Sequence, residues 1–118
     1  MKTLVLLLAA GMNLWQPRPE IAQALRGAKA LKNLRRDPDS FVVERVFTWS
    51  KKDDSRDCYI YRSHNGYGGM TKEIGYYVEH NGKSHATPNA ATRMFPTCPK
   101  QFTEITAEST LHWRASDL

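Results

Sequence analysis

Between residues 21 and 36, Ala24, Gly27, Leu31 and Leu34 recur at spacings of three and four, while Arg26, Lys29, Lys32 and Arg36 fall on the other side. That period is helical, and it predicts a helix that packs through its leucines and turns a basic face outward. Pro19-Glu20 supplies a start and strong helix formers follow, with Gly27 the weak point. Asp37-Pro38-Asp39-Ser40 supplies a stop, because a residue before proline disfavours the helical region and Asp and Ser favour turns.

Beyond the stop the pattern becomes that of strands. Residues 41–49 are rich in β-branched and aromatic side chains and predict a first strand, with Phe41, Val43, Phe47 and Trp49 on one face. The polar run 51–57 reads as a loop, 58–62 as a second short strand, and Asn65-Gly66-Tyr67-Gly68-Gly69 as a glycine-rich turn. Residues 74–80 and 83–86 flank Asn81-Gly82, a strong two-residue hairpin signal. Residues 87–99 hold three prolines and read as irregular, and 102–105 and 110–113 each predict a short edge strand. The expected class is α+β: one N-terminal amphipathic helix laid on a small antiparallel sheet of roughly three to five strands.

The first residues differ from the rest. Lys2 leads into an apolar run at residues 4–10, shorter than the roughly 20 residues needed to span a bilayer. Residues 1–24 therefore read as a signal peptide or leader, cut either after Gly11 or, at Ala22-Gln23-Ala24, after Ala24. Cutting there would leave a shorter helix beginning at Leu25. A lipoprotein would need its acylated Cys where Met12 stands. The competing reading is a buried apolar segment of a cytosolic protein.

A chain of 118 residues is too short for two independent cores, so residues 25–118 are expected to form a single domain. Its 41% apolar content argues against a disordered chain. Two cysteines, Cys58 and Cys98, match neither metal-ligand nor redox spacing; in an exported chain an even count reads as a bridge.

The stretch Leu31-Lys32-Asn33-Leu34-Arg35-Arg36-Asp37-Pro38-Asp39-Ser40-Phe41, followed by Cys58, Asn65-Gly66-Tyr67-Gly68-Gly69 and Cys98, resembles a loose group of small exported bacterial proteins. They carry a leucine-rich helix ending in Asp-Pro-x-Ser, then Cys, Asn-x-aromatic-Gly-Gly and a second Cys. The resemblance spans roughly residues 31–98 and implies an exported domain of unknown function; it supplies no catalytic residues.

Net charge is +5, and Arg26, Lys29, Lys32, Arg35 and Arg36 gather on the predicted helix. Such a face could hold an anionic envelope polymer, a lipid surface or a protein; nucleic acid fits less well, because the aromatics fall within strands. The glycine-rich segment Asn65, Gly66, Tyr67, Gly68, Gly69 reads first as a tight reversal with Tyr67 packed on the sheet, and second as a ligand-binding loop presenting backbone amides. Nothing in it matches a P-loop or a dinucleotide fingerprint, and no cofactor or metal is expected. The leading expectation is a non-catalytic exported domain with a structural or binding role. The alternative is a small hydrolase or nuclease using His64 with His80 or His85, near Glu73 or Glu79, on a phosphate-bearing substrate; His112 completes the histidines. A small inhibitor or effector is a third reading.

Overall fold

The computed structural model describes residues 18–64, 66–88, 97–110 and 113. Helix α1 (Pro19–Asn33) has proline in its first turn beside Glu20, where an acidic group suits the positive end of the helix. It buries Ile21, Gln23, Ala24, Gly27, Ala28 and Leu31. The helix stops earlier than its sequence period suggests. Leu34 N–H donates to Leu31 O and Arg35 N–H to Lys32 O, a tightened last turn that leaves Leu34 exposed and frees Arg35 to reach the sheet. Packing therefore runs through small residues and Ile21 and Leu31, without Leu34.

A 3₁₀ turn (Pro38–Ser40) leads into β1 (Val42–Lys51), β2 (Asp54–His64), β3 (Met70–His80), β4 (Lys83–Thr87), β5 (Thr103–Glu104) and the short α2 (Thr106–Thr110). The strands form one sheet in the order β4-β3-β2-β1-β5, each neighbouring pair antiparallel. The α+β expectation holds, with one main helix on a five-stranded antiparallel sheet. Asn81-Gly82 turns the β3–β4 hairpin with both residues at positive φ, 50° and 77°, the backbone that this dipeptide adopts cheaply.

Three local expectations differ from the structure. Residues 51–57 are mostly strand: only Lys52 and Asp53 lie outside the ladder, which already pairs Lys51 with Asp54. Polar side chains are accommodated there because the hairpin tip lies at the rim, where Arg56 pairs with Asp54 at 3.0 Å. Residues 106–110 form α2, with the Thr110 hydroxyl donating back to Thr106 O, so the strand expected over 110–113 is absent at Thr110, and residues 111–112 lie outside the described set. In β1 the register slips between Val43 and Arg45. This bulge breaks the single face: Phe41, Val43 and Val46 pack under α1, while Phe47 packs on the opposite side.

The central strand β2 is buried continuously from Asp57 to Tyr61 because both faces are covered. On one side α1 closes a core with Tyr59, Tyr61 and Tyr77. On the other, Cys58, Ile60, Ile74 and Cys98 cluster beside Phe47, Tyr76 and Phe102, and the ring of Trp49 stacks on Phe102 at 6.3 Å. Cys58 and Cys98 are joined by a disulfide.

Two glycines set the depth at which helix and sheet meet. A Cβ on Gly27 would lie 2.2 Å from Tyr59 Oη, and one on Gly75 would lie 2.9 Å from Leu31 Cδ2. Each backbone thus seats a bulky side chain of the other layer.

Candidate functional site

Three carboxylates line the helix-facing side of the sheet, and α1 or the residues just after it reach each one. Glu79 takes a bidentate pair from Arg26 Nε and Nη2, at 2.8 and 2.9 Å, and a hydrogen bond from the Tyr77 hydroxyl at 2.6 Å. The Arg26 bonds hold its carboxyl below the usual range. Glu73, buried, accepts from Arg35 Nη2 at 3.0 Å and from the Tyr61 hydroxyl at 2.8 Å.

Asp57 is fully buried and faces Gln23 Nε2 at 3.2 Å and Tyr59 Oη at 3.1 Å. Burial pushes its carboxyl up to about 6, against the hydrogen bonds from Thr48, Tyr59 and Gln23 that pull it down. Tyr59 Oη also lies 2.7 Å from Ala24 O. One hydroxyl proton cannot fully serve both acceptors, so an Asp57 that keeps its proton completes the set by donating to Tyr59 Oη.

These pairs redistribute the basic face read from the sequence. Arg26 and Arg35 spend their charge on carboxylates of the sheet. Lys29 and Arg36 are exposed and Lys32 half-buried. Arg36 lies past the helix end, its guanidinium against Gly66, where a Cβ would meet Arg36 Nη1 at 2.2 Å. The structure therefore brings Arg36 to the glycine-rich loop and leaves Arg26 and Lys29 on the body of the helix.

Gly66, Tyr67, Gly68 and Gly69 make the β2–β3 reversal, with Gly68 at φ 85°; Asn65 lies outside the described residues. The reversal is as expected, but Tyr67 does not pack on the sheet: it is 98% exposed.

The histidines do not converge as the catalytic reading requires. His64 pairs with Met70 at one end of the β2–β3 ladder and His80 with Asp54 at the other, an axial separation of about 33 Å at ~3.3 Å per residue. His64 Nδ1 faces Asp37 Oδ2 at 2.9 Å, and the His64 backbone N–H donates to Ser40 Oγ, tying β2 to the 3₁₀ turn. His80 and His85 do share one face of the β3–β4 hairpin, through the pairs His80 with Lys83 and Val78 with His85. Glu73 and Glu79 point to the opposite face, towards α1. His112 lies outside the described residues, and among those described no three His, Cys, Asp or Glu side chains gather to hold a metal.

At the His64 end exposed apolar side chains appear on several elements. The exposed large hydrophobics among the described residues are Leu34 (54%), Val42 (54%), Tyr67 (98%) and Met70 (47%). Leu34 caps α1, Val42 opens β1 opposite Arg62, and Met70 opens β3 opposite His64, so all four belong to the same end of the domain. Around them stand Lys32, Arg36, Arg62, Lys72 and the acidic Asp37, Asp39 and Glu44; Glu44 bridges Arg62 and Lys72. Sequence patterning missed this end because each residue belongs to a different element: Val42 and Met70 lie on the sheet face away from α1, Leu34 at the end of the helix and Tyr67 in the loop between β2 and β3.

No protein-family model, curated protein or solved structure matches the chain. Among the described residues no helix is long and apolar enough to cross a membrane.

Proposed function

We propose that this chain is an exported binding domain, secreted or periplasmic, that docks on a protein partner through the end built from Leu34, Val42, Tyr67 and Met70. The observation that carries this reading is that the exposed large hydrophobics among the described residues all belong to one end of the domain, since exposed apolar side chains flanked by polar ones are what a protein contact requires. The rim mixes both signs of charge, which suits a protein surface better than a uniformly anionic polymer, lipid surface or nucleic acid. Tyr67 and Arg36 are the residue types that most often anchor such contacts.

A variant carrying Leu34→Ser, Tyr67→Ser and Met70→Ser is expected to lose association with the native cell-envelope or secreted complexes by about tenfold or more, with an unchanged circular dichroism spectrum. Lys29→Gln with Lys51→Gln, both exposed and away from that end, serves as the surface control. Equal retention of the triple variant and the wild type would refute the reading.

Export is supported by the disulfide, which persists in oxidising compartments. The position of Ile21, Gln23 and Ala24 in the core bears on processing. A cut after Ala24 removes Ile21 from the core and Gln23 from Asp57, so we place the mature N-terminus upstream of Pro19. Intact mass of the protein recovered from its native fraction is expected to include residues 19–24 and to carry the two-hydrogen deficit of the bridge. A mass starting at Leu25 would overturn the placement.

A further inference from the structure

Strand pairing sorts the charged side chains between the two faces of the sheet, because alternate residues point to opposite sides. The face away from α1 carries Cys58, Ile60, Ile74 and Tyr76. On that same face the register lines up Lys51, Asp54, His80 and Lys83 in one row from β1 to β4, with Arg56 and His85 in the next row. Cys98 and Phe102 pack against it, and Lys100 stands exposed in the turn between them, where Phe102 N–H donates to Pro99 O at 3.1 Å.

The acids of this face are already paired. Arg45 holds Glu104, Arg56 holds Asp54, and Glu44 bridges Arg62 and Lys72. Lys51, Lys83 and Lys100 are exposed and have no ion-pair partner among the described residues. One charge from the bridge and one from each of these lysines give the face a formal +4. The other described residues come to −1, with seven Lys and Arg against eight Asp and Glu. The net positive charge of the described domain therefore lies on the sheet face away from α1, whereas the sequence pattern places it on the helix. Between Glu79 and Glu104 the sequence holds Lys83, Arg93 and Lys100 and no Asp or Glu, so this strip carries one sign of charge.

We propose that the part of this face formed by the β3–β4 turn, β4 and the turn at Lys100 binds an acidic polysaccharide. Lys83 and Lys100 take its carboxylates or sulfates, and His80, His85 and Gln101 stand beside them as partners for its hydroxyls. A patch of one sign selects an anionic partner. The exposed large hydrophobics among the described residues belong to the other end of the domain, so none stands among these lysines to enter a bilayer. The Trp49 ring, which a base could otherwise stack on, is taken by Phe102 at 6.3 Å and the Arg56 guanidinium at 5.7 Å. A hydrated, extended polyanion needs neither feature. The strip lies at the His80 end of the strands and the docking residues at the His64 end, so either reading can fail without the other.

The disulfide-bonded protein would be titrated with polygalacturonate, with heparin and with neutral dextran. Saturable binding to one or both acidic polymers, weakened by added salt and absent with dextran, is expected. A preference between the two tells carboxylate from sulfate recognition. Lys83→Gln with Lys100→Gln is expected to weaken binding by about tenfold, with an unchanged circular dichroism spectrum. Lys29→Gln with Lys32→Gln removes the same charge from the helix side and is expected to change binding by less than about twofold. The proposal is overturned if neither acidic polymer binds, or if the helix variant loses as much affinity as the sheet variant. Tighter binding to anionic phospholipid vesicles or to a single-stranded oligonucleotide than to either polysaccharide would also overturn it.

Discussion

Asp57→Asn is expected to stabilise the fold at pH 7 by about 3 kcal/mol, a cost set by the two-unit rise of a fully buried carboxyl from its ordinary value to about 6. In the unfolded chain Asp57 ionises near its ordinary value, so between that pH and about 6 the folded state binds the extra proton. Stability from this group is therefore complete below the unfolded value and lost as pH rises through about 6. Asparagine reproduces the protonated form: its carbonyl accepts from Gln23 and its amide donates to Tyr59 Oη, leaving the tyrosine proton for Ala24 O. Urea unfolding at several pH values checks this. Between about pH 4 and 7 wild type should weaken relative to the variant, whose own pH dependence reports the remaining carboxylates, such as Glu79 held below the usual range by Arg26. A difference between the two proteins that stays constant over this window would mean that Asp57 is charged in the native state without penalty.

The second large effect concerns the bridge. Cys58→Ser with Cys98→Ser is expected to cost about 4 kcal/mol in the chain-entropy account of a loop closed over a separation of 40 residues. Reductant should have the same effect on the wild type. Part of the loss is local, because without the bridge the segment from residue 97 to 105 is held on the sheet by Phe102 against Trp49 and by the two-residue β5. Measured by denaturant midpoint, a loss below about 1 kcal/mol would assign the hold to those contacts instead.

Much of the architecture is legible in the sequence because it rests on local chemistry. The helix period between residues 21 and 33 and the Asn81-Gly82 turn each act over a few residues, and the pairing of Cys58 with Cys98 follows from count. What escaped is what depends on neighbours distant in the chain. The bulge at Glu44 has no composition signal, yet it moves Phe47 and Trp49 to the other face. Asp54 to Asp57 look like loop because they are polar, but their backbones continue a ladder begun by β1. Arg26 and Arg35 look like solvated charge until β3 supplies Glu79 and Glu73. The candidate surface shares this property: Leu34, Val42, Tyr67 and Met70 stand on four different elements between residues 34 and 70.

The strand order has a consequence for how the molecule is made. From β1 to β4 each strand lies beside the one before it, so the four-stranded meander is complete at Thr87, before Cys98 has been synthesised. Its contacts are short-range along the chain and pair quickly. The last residues then arrive on a finished platform, and Cys98 finds Cys58 already displayed on the central strand. Oxidation is thus a latch closed at the end of assembly, a role in which it fixes the lifetime of the fold and leaves its topology to the turns.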